Sequence, residues 1–156
     1  MTELVPCLWF ADDAEEAVRF YVSLLPNSHI DAIQRNPTQN QSGPPGGVLV
    51  VRFTLAGRPY MAINGGKRIE PNIAVSFSAE CDDQAEIDRL WLRLGEGGRE
   101  QQCGWILDRW GYAWQIVPNK MPAFLSGDPA RAARVFTALM GMVKIDLAAL
   151  ERAAAG

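Results

Sequence analysis

"FADDAEEAVRFY" (residues 10–21) and "ECDDQAEIDRLW" (80–91) repeat one pattern along the chain: Asp12 aligns with Asp82, Asp13 with Asp83, Glu16 with Glu86, Arg19 with Arg89, and the aromatic Tyr21 with Trp91. In each copy an Asp is followed three residues later by a Glu (Asp13–Glu16 and Asp83–Glu86), the spacing of a capping box that opens a helix. Apolar residues then recur at helical spacing: Ala14, Ala17, Val18, Tyr21, Leu24 and Leu25 in the first, and Ile87, Leu90, Trp91 and Leu94 in the second. The first helix is expected to stop at Pro26–Asn27 and the second at Gly95.

Strand-like runs flank both helices. "LVPCLWF" (4–10) precedes the first and "NIAVSFSA" (72–79) the second. After the first come "SHIDAIQR" (28–35), a polar, Pro/Gly-rich loop (36–47), "VLVVRFTL" (48–55), a turn at Ala56–Gly57 and "RPYMAIN" (58–64). After the second come "REQQ" (99–102), "GWILDRW" (104–110) and "YAWQIVP" (112–118). The sequence therefore predicts an α+β fold of two βαβββ modules, 1–66 and 67–118. A helical extension, 119–156, follows: Asp128-Pro129 is a cap with a first-turn proline, Ala132, Val135, Phe136, Leu139 and Val143 form a stripe, and a further helix is expected from Asp146 with Leu147 and Leu150 inward.

Composition narrows the function. With 48% hydrophobic residues the chain can build a core, and a net charge of −3 argues against a nucleic-acid surface. No apolar run reaches the ~20 residues of a membrane helix. The three cysteines, Cys7, Cys81 and Cys103, form no CxxC and suit a reducing cytoplasm. No secretory leader is expected.

Beyond the repeat, the strings "LWF" (8–10), "DDAEEAVRFYVSLLPNS" (12–28), "PYMAINGG" (59–66), "AVSF" (74–77), "REQQCGWILDRWGYAWQIVP" (99–118) and "MGMVKIDLAALE" (140–151) resemble the PhnB-like branch of the vicinal-oxygen-chelate superfamily. This superfamily includes glyoxalase I and extradiol dioxygenases, and the branch is often labelled a 3-demethylubiquinone-9 3-methyltransferase domain. The resemblance implies a homodimer whose strands form a half-open barrel around a cavity. It names no reaction, because the superfamily's chemistry varies.

Two cofactor readings can be weighed against the residues. A methyl-donor site of the common nucleotide type places a glycine-rich turn between strand and helix, whereas "GPPGG" (43–47) lies in a loop, "NGG" (64–66) ends a strand and "GEGG" (95–98) follows a helix. Metal-dependent members of the superfamily take ligands, usually His, Glu or Gln, from the first and last strand of each module. Here those strands offer Pro6 and Leu8, then Met61 and Ile63, in the first module, and Ser76 and Gln115 in the second. A register slip of one would bring Cys7 and Asn64 inward. His29, the one histidine, reads as an ordinary strand residue. No metal and no cofactor are expected.

The expected ligand-binding set is Gln115, Ser76, Trp105, Met61, Leu8 and Asn64. Gln115 interrupts the apolar face Ala113–Gln115–Val117 and needs a partner there. Trp105, Trp110 and Trp114 read either as pocket walls or as core. Cys103 reads as an inert thiol, Asp108-Arg109 as a surface turn and Arg52 as a strand charge, with binding of an acidic ligand as the other use of both. The leading functional reading is metal-free binding of a small molecule. A metal-dependent lyase or dioxygenase and a non-catalytic structural dimer are the alternatives.

Overall fold

The computed structural model describes residues 1–156 and packs them as two units, Met1–Glu70 and Pro71–Gly156. In the first unit β1 (Cys7–Phe10) leads into α1 (Ala14–Leu24), followed by β2 (His29–Arg35), β3 (Val48–Leu55) and β4 (Arg58–Asn64). The sheet order is β1-β4-β3-β2, with β1 parallel to β4 and the other pairs antiparallel. In the second unit β5 (Ser76–Cys81), α2 (Gln84–Gly95), β6 (Arg99–Glu100), β7 (Trp105–Leu107) and β8 (Ala113–Pro118) repeat that arrangement in the order β5-β8-β7-β6, again with first and last strands parallel. The βαβββ duplication expected from the repeat is thus the architecture. Each sheet is open, ending in β1 and β2 or in β5 and β6.

One face of each sheet is covered by its helix. Ala14, Ala17, Val18, Tyr21 and Leu24 of α1 are buried, and so are Leu8, Phe10, Val51, Phe53, Leu55 and Ala62 on the strands beneath. Burying each large side chain of this set contributes roughly 1.5–3 kcal/mol. The alternation of a strand then sends Cys7, Trp9, Val50, Arg52, Met61 and Ile63 to the opposite, open face. In the second unit Ile87, Leu90, Trp91 and Leu94 of α2 are buried with Ile106, Trp114 and Ile116, while Ser76, Ser78, Trp105, Ala113, Gln115 and Val117 take the open face.

The two helix starts differ in spite of their matched sequences. Asp83 is extended, accepts a hydrogen bond from the Glu86 amide at 2.9 Å, and Glu86 in turn accepts from the Asp82 amide at 3.0 Å. Asp13 does not cap through its side chain, contrary to the repeat-based expectation. Its backbone (φ −109°, ψ 20°) is not extended, so the carboxylate is not presented to the first turn. The Ala14 amide instead donates to Asn64 Oδ1 at 2.9 Å, and Asn64 Nδ2 donates to the Val48 carbonyl at 3.0 Å.

"NGG" continues the same device. A Cβ on Gly65 would lie 1.8 Å from the Trp9 indole, whose Nε1 donates to the Lys67 carbonyl at 2.7 Å. Gly66 has φ +74°, and a Cβ there would fall 1.7 Å from the Gln41 carbonyl oxygen. The loop 36–47 is itself ordered around Asn36, which is 3% exposed, holds the backbone of Gly46 and Gly47, and donates to the Pro44 carbonyl.

Past β8 the chain forms α3 (Met121–Leu125), which the sequence reading missed, then α4 (Pro129–Met140) and α5 (Leu147–Ala155). Asp128 accepts from the Ala130 and Arg131 amides, and Asp146 from Ala149, as their cap positions require. Val135, Leu147 and Leu150 are buried as expected, but Phe136 is 52% exposed. Gln84 fastens this extension to α2: its Nε2 donates to the Ile145 carbonyl at 3.0 Å and its Oε1 accepts from the Leu147 amide at 2.8 Å. No helix is long and apolar enough to cross a membrane.

Candidate functional site

The open face of the second sheet assembles three of the residues expected from sequence. β8 carries Gln115 with Ser78 directly beside it on β5 and Trp105 directly opposite on β7. Gln115 Nε2 donates to Ser76 Oγ at 2.9 Å. This contact satisfies one end of the amide; Oε1 and the Trp105 indole N–H have no protein partner. The half-buried face therefore offers an acceptor, a donor and an aromatic surface on directly paired strand positions.

The other three expected residues are divided by the pleat. Met61 lies on the open face of the first sheet. Leu8, 9% exposed, and Asn64, 4% exposed, point to the helix side instead. The error is one of register: Cys7, not Leu8, pairs with Met61 across β1 and β4 and shares its face. "CLWF" is apolar throughout and shows no period of two, so only the stripe of α1 fixes which residues turn inward. Asn64 serves α1 and also lines a cleft of about 540 Å³ between the start of that helix and Ser42 and Pro44 of the loop; Asp12, Asp13, Glu15 and Glu16 share its lining.

Asp108 is a second correction. The sequence suggested a surface turn, but the side chain is 4% exposed. Its Oδ1 accepts from the Trp110 and Tyr112 amides at 2.9 and 3.0 Å, and Oδ2 from Trp114 Nε1 at 2.9 Å. Three donors hold this carboxylate, so it fixes the β7–β8 turn and through it the strand that carries Gln115. Trp114 is core, tilted against Phe77 with ring centroids 4.5 Å apart, and Trp110 carries the Arg109 guanidinium 5.1 Å above its ring. Trp105 faces the open side and Trp114 the helix side.

The thiols occupy three environments. Burial pushes the Cys81 thiol up to about 12, and Cys7 is raised in the same way. Cys103, half-buried, lies 3.7 Å from the Met140 sulfur. His29 pairs with Asp31 at 3.0 Å on the exposed β2 edge.

A family model described as 3-demethylubiquinone-9 3-methyltransferase matches residues 2–117. The chain belongs to this family. The match ends on β8, so α3, α4 and α5 lie beyond it. Among solved structures, the PhnB protein from Bacillus cereus, which carries the same methyltransferase description, is 29% identical with a TM-score of 0.68, covering 75% of this chain and 99% of its own. Protein PA1353 from Pseudomonas aeruginosa, at 24% identity and a TM-score of 0.60, covers 73% of this chain and 95% of its own, and shares the fold. No curated protein matches the sequence.

The residues present do not fit a divalent metal of the superfamily type or a nucleotide-type methyl donor. No three His, Cys, Asp or Glu side chains converge on a metal position. On the open faces the first and last strands offer Cys7, Trp9, Met61 and Ile63 in one unit and Ser76, Ser78, Gln115 and Val117 in the other. Divalent zinc, iron or nickel needs several strong N, O or S donors together. No glycine-rich turn opens a helix for a nucleotide-type methyl donor: Gly95 ends α2 and Gly65 follows β4.

Proposed function

We propose that this protein binds a small organic molecule against the open faces of its sheets, without a resident divalent metal. The observation that carries the reading is the Gln115–Ser76–Trp105 group. A half-buried amide, oriented by one hydrogen bond and left with a free acceptor beside a free indole N–H, is how an apolar surface places the few polar groups that orient a ligand. The donor set argues against the metal-dependent lyase and dioxygenase alternatives, since Met61 and Gln115 are weak neutral ligands. Free cysteines support a reducing, cytoplasmic setting.

The reading includes a homodimer. Phe136, Met140 and Val143 expose apolar surface on and just after α4, at 52%, 54% and 38%, which suits a self-complementary interface. Light scattering behind size exclusion tests this part, and a monomer at micromolar concentration removes it.

The binding itself is tested by thermal shift against a diverse small-molecule library, with Gln115→Leu as the comparison. Compounds that raise the wild-type Tm are expected to lose most of that effect in the variant, because stabilisation follows from binding to the folded state. A library without hits, together with an unoccupied protein by native mass spectrometry, overturns the proposal.

A further inference from the structure

The open face of the first sheet carries Arg52 beside an apolar row, with the His29–Asp31 pair at its β2 edge. Arg52, exposed on β3, lies between Met61 of β4 and Ala32 of β2, with Cys7 beyond Met61. One row further along the strands stand Val50, Ile63 and Trp9, all half-buried. Arg52 makes no hydrogen bond or ion pair, although elsewhere in the chain Arg19, Arg68, Arg89, Arg93 and Arg109 each have a carboxylate. The acid on the neighbouring strand, Asp31, is occupied by His29 at 3.0 Å and by the Thr54 hydroxyl at 3.1 Å.

We propose that Arg52 anchors the anionic head of a ligand on the open face of the first sheet, a small carboxylate, sulfonate or phosphonate with a compact apolar body. The proposal rests on the small-molecule reading above and gives a chemical class to a ligand held on the first sheet. A guanidinium presents a planar fork of donors that matches an oxyanion in two parallel hydrogen bonds, and these charge-assisted bonds are about twice as strong as neutral ones. The surface beside it has the dimensions for the rest of such a molecule. Three strands at ~4.8 Å spacing span roughly 10 Å, and successive rows on one face lie ~6.7 Å apart, so Met61, Cys7, Ile63 and Trp9 can cover about one ring or a short chain. The Arg52 stem can lie along this apolar row with its head in water, and an amphiphilic anion would use both the head and the row.

Two fluorescent probes that share a ring system separate the claims: 8-anilino-1-naphthalenesulfonate, an anion, and N-phenyl-1-naphthylamine, which lacks the sulfonate. Each is titrated into wild type, Arg52→Gln, Arg52→Lys and Arg58→Gln, with melts to establish that every variant is folded. Wild type is expected to bind the sulfonate about tenfold more tightly than the neutral probe, the factor that ~1.4 kcal/mol supplies. Arg52→Gln should abolish that preference while the neutral probe binds as before, Arg52→Lys should keep part of it, and Arg58→Gln should change neither. Equal affinity of wild type for the two probes, or a sulfonate affinity that survives Arg52→Gln, overturns the anion anchor and leaves small-molecule binding standing. Binding of neither probe removes both.

Discussion

Replacing Asn64 by alanine should unsettle the first module far more than replacing the aspartate that precedes its helix. Asn64 is 4% exposed and makes two bonds, accepting from the Ala14 amide at 2.9 Å and donating to the Val48 carbonyl at 3.0 Å. Truncation leaves a buried donor and a buried acceptor unpaired, each costing ~1–3 kcal/mol. Some water entry from the adjacent cleft lowers the sum, and about 2–5 kcal/mol remains, a large part of the ~5–15 kcal/mol that holds a domain folded. Asp13→Ala should cost less than Asn64→Ala, because the Asp13 side chain makes no cap bond. Asn64→Asp keeps the acceptor for Ala14 but turns an oxygen toward the Val48 carbonyl, so it should fall between the two. Urea titrations of the three variants followed by circular dichroism give the comparison. Equal midpoints for Asn64→Ala and Asp13→Ala would refute the argument that the asparagine, not the aspartate, closes the helix.

Asp108→Asn should destabilise the β7–β8 turn by about 1.5–3 kcal/mol, since an amide cannot accept from all three donors that the carboxylate holds; an unchanged Tm and unchanged tryptophan fluorescence would contradict this. For Cys81 the sign follows from its raised value. The folded thiol keeps its proton to about pH 12, whereas an unfolded one releases it near pH 8.5, so its contribution is complete below pH 8.5 and declines as pH rises toward 12. Cys81→Ala should therefore lose less stability than wild type between pH 8.5 and 12, and a thiol reagent should modify Cys7 well before Cys81 in the folded protein. Parallel pH–stability curves for the two proteins would count against burial as the cause.

Much of this architecture was legible because local patterns carried it. The repeated Asp and Glu spacing marked both helices, and Val48–Leu55 and Arg58–Asn64 read as strands to the residue. The face of β8 was readable too, since Gln115 interrupts an alternation and its neighbours Ser76 and Trp105 lie on the same side. What escaped depends on partners distant in sequence or on patterns with no contrast. "CLWF" offers no alternation, so Leu8 was assigned to the face that Cys7 holds. Asn64 resembled a pocket amide because nothing nearby in the chain reveals that it serves a helix 50 residues earlier. Asp108 in "DRWGY" has the composition of an exposed turn, and its burial comes from Trp114 closing over it. The five residues of α3 are too short for a periodicity to emerge.

The unequal helix starts bear on the order in which the duplicated modules fold. The cap of α2 closes between residues three apart, so its first turn can form as soon as Asp83 and Glu86 exist in the chain. The cap of α1 spans 50 residues and waits for β4 to arrive beside β1. Joining ends across such a loop carries an entropic cost that local closure avoids. By this argument the start of α1 should lock after the start of α2, an order that pulsed hydrogen exchange at the Ala14 and Glu86 amides would time directly.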